Sequence, residues 1–153
     1  MEISTTRRGF IKGLIAVGSL LVLPATLLAA MVRPKAAFDS KEIDASIKSL
    51  FGDAVVEASD KVNLKVPEIA ENGAVVPITI STDIEGVESI SVVIDNNPNP
   101  LSAIFNLTDA VAAEVSTRVK MGKSSPVRAM VKANGKIYFT TKEVKVTIGG
   151  CGG

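Results

Sequence analysis

The feature that most constrains this chain is a period-two alternation near its C-terminal end, split by an Asn-Gly pair. Val127, Ala129 and Val131 alternate with Arg128, Met130 and Lys132; Asn134-Gly135 follows, and a second run returns from Ile137 to Thr141. Asn and Gly tolerate the two positive φ angles of a type I′ turn, whose twist matches that of paired strands. The spacing predicts a β-hairpin. Val111, Ala113, Val115, Thr117 and Val119 share one face upstream, with Ala112, Glu114, Ser116, Arg118 and Lys120 on the other. Downstream, Val144, Val146 and Ile148 alternate with Lys145 and Thr147. A helix could not gather such residues on one side, because its apolar stripe repeats every 3.6 residues.

The remaining chain reads as more of the same. Val62, Leu64 and Val66 alternate until Pro67 interrupts. Asn72-Gly73 is a turn pair before 74–81, and Glu85-Gly86 a turn before 89–94. Residues 95–100, Asp-Asn-Asn-Pro-Asn-Pro, form an irregular loop, since two prolines withhold backbone donors. Leu101 to Leu107 follows, and Pro100 places its start at or near a sheet edge. About seven short strands with frequent turns predict an all-β fold, an immunoglobulin-like antiparallel β-sandwich. Ahead of it, residues 38–53 read as one short helix, capped by Asp39 or Ser40 and ended by Gly52. Ile43, Ile47, Leu50 and Phe51 share its apolar face. With 46% hydrophobic but only 4% aromatic residues, the core is expected to be mainly Val, Ile, Ala and Leu.

The N-terminus carries Thr6-Arg7-Arg8-Gly9-Phe10-Ile11-Lys12. This resembles the twin-arginine export consensus S/T-R-R-x-F-L-K, with Ile11 in place of leucine. An apolar run from Leu14 to Ala30 follows, broken by Gly18, Ser19, Pro24 and Thr26 and ending in small residues, the order of a secretory signal. The alternative is a permanent anchor; against it, the run is short for a span of ~20 residues and contains Pro24. The expected organisation is a signal at 1–30 (cleaved near Ala30 or Ala37), a helical segment at 31–60, the sandwich at 61–148 and a tail at 149–153. Export by this route suits a protein that folds or joins a partner first.

The tail is Gly149-Gly150-Cys151-Gly152-Gly153, and Cys151 is the only cysteine in a chain of 153 residues without histidine or tryptophan. One cysteine excludes an internal disulfide, and without histidine neither a Cys/His zinc site nor Ser-His-Asp chemistry is available. No cofactor or metal site is expected. Asp83, Glu85 and Glu88 have no catalytic partner and read as surface charge. An ordinary thiol is only a few per cent thiolate at neutral pH, and no base adjoins Cys151. The protein is therefore expected not to be an enzyme but to carry a thiol on which other proteins act. Gly149, Gly150, Gly152 and Gly153 form a flexible arm in this reading, since glycine loses the most backbone entropy on ordering. The blander alternative is a frayed end with an accidental cysteine. Charge adds a second clue. Residues 31–114 hold 6 Lys/Arg against 14 Asp/Glu, whereas residues 115–153 hold 8 Lys/Arg against Glu143 alone. The approach to the tail is basic, suited to an anion or acidic partner, or simply to a solvated sheet face.

The stretch from Val144 to Gly153 resembles the C-terminus of the SoxY family, the sulfur-carrier subunits of the periplasmic thiosulfate-oxidising Sox system. Residues 67–77 (Pro67 to Pro77), Asn97-Pro98-Asn99-Pro100-Leu101 and Thr117-Arg118-Val119-Lys120-Met121 are similar too. The resemblance implies a sandwich paired with a SoxZ-like subunit, with sulfur intermediates held covalently on Cys151. It also implies a haem-containing enzyme that couples thiosulfate to that thiol, a hydrolase that releases sulfate, and a sulfane-oxidising enzyme. It implies a periplasmic location and no nucleic acid. Two rivals stay open: a ubiquitin-like carrier using the terminal Gly152-Gly153 carboxylate, and an interaction module that dimerises through its tail thiol.

Overall fold

In a computed structural model, residues 33–147 are described; the segment expected to be a signal and the residues of the Gly-Gly-Cys-Gly-Gly tail lie outside them. Asn134 and Gly135 have φ angles of 52° and 74°, the left-handed pair that a type I′ turn needs. They join β8 (Ser125–Ala133) to β9 (Lys136–Val146), with Ala133 opposite Lys136. The Asn134 side-chain amide donates to the Glu85 carbonyl at 2.9 Å, which fastens the hairpin tip to the turn ahead of β5 (Val87–Ile94). The two runs read after the hairpin, 137–141 and 144–148, begin as one continuous strand over 136–146.

Two sheets result. In the larger, β5 lies between β8 and β6 (Leu101–Asn106), antiparallel to both. β6 forms the outer edge, where Pro100 placed it. On the other flank of β9, β1 (Val56–Ala58) and β3 (Ile69–Ala70) both pair parallel. The smaller sheet has the order β2 (Val62–Lys65), β4 (Val76–Thr82), β7 (Glu114–Val119), all antiparallel. The described residues thus hold nine strands rather than about seven, and the pairing is mixed rather than wholly antiparallel. The difference has a local cause. The chain runs along β9 as β1, crosses to the other sheet as β2, and returns to β9 as β3 after Pro67. Strands of two or three residues cannot display a period.

The facing sides of the sheets bury Leu64, Ile78 and Ile80 against Ile90, Val92, Val127 and Val131 in one core. Each is 2% exposed or less, so each contributes about 1.5–3 kcal/mol of hydrophobic stabilisation. The back of the larger sheet is covered as well. There Val93, Leu101, Met130 and Ile137 form a second core beneath two helices, α1 (Lys35–Asp39) and α2 (Ile43–Phe51). A register shift between Val92 and Val93 moves the β6 partner from Ala103 to Leu101. That bulge turns Leu101 to the helix side while Ala103 packs on the inner core.

The single helix expected over 38–53 is therefore two. Ser40 is extended, with ψ of 142°, and its hydroxyl donates to the Glu42 carbonyl at 2.9 Å. Such local bonding competes with helix continuation. The buried Ser46 hydroxyl then donates to the Ala37 carbonyl at 2.7 Å and ties the helices together. Ile43, Ile47, Leu50 and Phe51 pack on the second core as their spacing required, and Gly52 ends α2 with φ of 65°.

Ser91, 0% exposed on β5, has a hydroxyl without a hydrogen-bond partner among the described residues. A buried donor left unmade costs about 1–3 kcal/mol. Ser91→Ala removes it at the expense of a very small void, and denaturant titration should show a gain of about 1 kcal/mol.

Candidate functional site: the end of the last strand

Cys151, Gly149, Gly150, Gly152 and Gly153 lie outside the described residues; the strand that leads to them does not. At its end β9 is fastened from two sides. The Lys145 and Thr147 amides donate to the Glu68 and Ala70 carbonyls at 2.9 and 3.1 Å, through the short parallel pairing with β3. Between them the Val146 amide donates to the Ser124 hydroxyl at 2.9 Å. These three bonds hold successive residues just before the tail.

A second layer holds the holders. The Met121 amide donates to the Gly73 carbonyl at 2.7 Å. A Cβ on Gly73 would lie 2.4 Å from the Met121 carbonyl oxygen and 2.9 Å from a Val146 methyl. Only glycine lets the Asn72–Gly73 turn, the 120–124 loop and the strand end meet so closely. Asn97 grips the same loop, donating to the Lys120 carbonyl at 2.7 Å and accepting from the Gly122 amide at 3.1 Å. Asn96 adds bonds to Ser124 and Ser125 at 2.9 Å. The Asn-rich loop read as irregular is thus a hydrogen-bonded buttress. Three separated stretches are linked: 67–77 and 117–121 meet at the end of β9, and Asn97 of 97–101 braces the loop that follows Lys120. The sequence singled out all three but gave no sign that they meet, and it gave no reason to choose Ser124.

The basic approach to the tail divides in two. Arg128 makes a two-pronged contact with Asp95, its NH2 group 2.7 Å from one carboxylate oxygen. Lys132 reaches Glu88 at 2.6 Å and Lys136 reaches Glu57 at 3.4 Å. Acidic residues of the first half therefore offset basic residues of the second. Lys120, Lys123 and Lys145, around the strand end, have no ion-pair partner among the described residues. Glu88 is in an ion pair, while Asp83 and Glu85 line an open cleft that contains none of the strand-end residues. Among the described residues there is no cluster of three or more side chains able to hold a metal, and no helix long and apolar enough to cross a membrane.

Fold and site define a class: a predominantly β domain with two small helices, whose last strand is rigidly held where it delivers the C-terminal residues. The family described as "Sulfur oxidation protein SoxY" matches residues 47–151. The solved structure of the sulfur carrier protein SoxY from Chlorobium limicola f thiosulfatophilum is 40% identical. It aligns over 70% of this chain and 97% of its own, with a TM-score of 0.64. The chain belongs to the SoxY family. A chain of a second solved structure, described as the structural basis of T cell specificity and activation by the bacterial superantigen toxic shock syndrome toxin-1, is 12% identical with a TM-score of 0.40, over 56% of this chain and 99% of that one. Among curated proteins there is no match.

Proposed function

We propose that the protein is a covalent sulfur carrier of thiosulfate oxidation, with Cys151 as its attachment point. Family membership carries this reading. Two features support it: the sole cysteine sits in the Gly-Gly-Cys-Gly-Gly ending, and β9 is fastened up to Thr147, four residues short of the thiol. The first step joins the Cys151 sulfur to the sulfane sulfur of thiosulfate. The thiol gives up its proton, and two electrons pass to a haem-containing coupling enzyme, leaving a cysteine S-thiosulfonate. Water then attacks the terminal sulfone in a hydrolase; sulfate leaves, and a persulfide stays on Cys151. A sulfane-oxidising enzyme takes the remaining sulfur onward.

In this reading Gly149, Gly150, Gly152 and Gly153 give the thiol clearance to enter each partner's active site. The two-sheet body, immunoglobulin-like in this view, serves as the handle and pairs with a SoxZ-like subunit. Thr6 to Lys12 direct export to the periplasm by the twin-arginine route, the partner travelling in the same folded complex. Intact mass of the chain, copurified with its small partner and exposed to thiosulfate with the coupling enzyme, tests the proposal. The expected result is a gain of one S2O3 unit, reduced to one sulfur atom after the hydrolase acts. An unchanged mass under turnover would count against it.

A further inference from the structure

We propose that Ser124 and Gly73 are positioning residues that set where the carrier arm begins, an inference that rests on the carrier reading above. Both act through Val146. Ser124 accepts the Val146 amide at 2.9 Å. Gly73 leaves the space a Val146 methyl needs, at a point where a Cβ would come within 2.9 Å of it and 2.4 Å of the Met121 carbonyl. With the Thr147 amide on the Ala70 carbonyl, these contacts make residue 147 the last fastened one among the described residues. Four residues then separate it from Cys151, a reach of about 13–14 Å at ~3.3–3.6 Å per residue.

Loss of the Val146 fastening leaves the adjacent Thr147–Ala70 bond to fray, and where both are open the last fastened residue is Lys145, still held by Glu68. The arm would grow to six residues and about 20 Å. Effective concentration of a tethered group falls roughly as the −3/2 power of tether length, so this change dilutes the thiol at a partner's active site about twofold. The dilution acts on encounter, not on the chemistry of an engaged thiol. It belongs in KM rather than kcat.

The test uses the full chain with its copurified partner, comparing wild type, Ser124→Ala, Ser124→Thr and Gly73→Ala. Ser124→Ala deletes one exposed acceptor and spares the cores, so it remains informative even if Gly73→Ala folds poorly. Amide hydrogen exchange at Val146 and Thr147 should quicken on the order of tenfold in Ser124→Ala, with β5 and β8 unchanged. KM for enzymatic loading of Cys151 should rise about twofold at constant kcat, and Ser124→Thr should restore both values. Three results would overturn the proposal: exchange that does not change, exchange that quickens while KM stays fixed, or a loss shared with β5 and β8 that marks a general weakening of the fold. A wild-type chain that takes up no sulfur would refute the carrier reading instead, and the exchange comparison alone would then judge the fastening.

Discussion

Cys151→Ser is expected to abolish sulfur uptake outright, with no adduct on the chain and no thiosulfate turnover in the reconstituted system. The substitution changes one atom, yet that atom carries the whole reaction. A hydroxyl cannot form the sulfur–sulfur bond to thiosulfate, and with a far higher pKa than a thiol it offers almost no anion at neutral pH. Stability should be unaffected, within about 0.5 kcal/mol, because among the described residues the bonds that fasten the strand end are made by residue 147 or earlier. Mass spectrometry of the complex before and after thiosulfate exposure reads the first effect, and thermal unfolding the second. The same experiment separates the rivals. A ubiquitin-like carrier would keep its adduct in Cys151→Ser and lose it when Gly153 is removed. A module that dimerises through its tail thiol would instead show a reducible homodimer, with thiosulfate oxidation untouched by Cys151→Ser.

Such discrimination is available because the proposed attachment point is legible in the sequence, while much of the structure leading to it is not. A unique cysteine between glycines needs no fold to be noticed. The β8–β9 hairpin was legible for a similar reason: Asn134-Gly135 and its flanking alternation are local, and the observed φ angles are those the residue types favour. β1 and β3 were not legible. At three and two residues they carry no period, and their partner is β9, far away in the chain. β5 obscured its own pattern, because Ile90, Val92 and Ile94 face one core while Val93 lies under the helices. A strand buried on both faces loses its alternation. The split of the helical segment turned on the Ser40 backbone, where a side chain expected to cap one helix instead closes a turn with Glu42. The fastening of Val146 by Ser124 and Gly73 joins three loops, and nothing local announces it.

Asp95→Ala should be among the most destabilising single changes outside the two cores, costing about 2–3 kcal/mol. The Asp95 carboxylate is 10% exposed and receives both the Nε and NH2 groups of Arg128, which is 32% exposed. Removing it strands a guanidinium that is largely withdrawn from water. The partial exposure of Arg128 keeps the expected cost below that of a fully buried pair. The effect should also spread toward the tail. Asp95 opens the loop whose Asn96 and Asn97 brace Ser124, Ser125 and the Lys120–Gly122 segment. Hydrogen exchange at Val146 should therefore quicken in Asp95→Ala as well. The pH dependence has a definite sign. The hydrogen bonds that Arg128 donates to Asp95 raise the Arg128 pKa above its ordinary value; burial opposes this, and the charges of Asp95 and Asp44 add to it. A cation raised in this way contributes fully below its unfolded-state pKa and loses that contribution only as pH climbs through the folded value. From the arginine side, the gap in stability between wild type and Asp95→Ala should hold from neutral pH to about pH 10. Denaturant unfolding at both pH values measures it. A gap that closes over that interval would refute an origin in the Arg128–Asp95 pair.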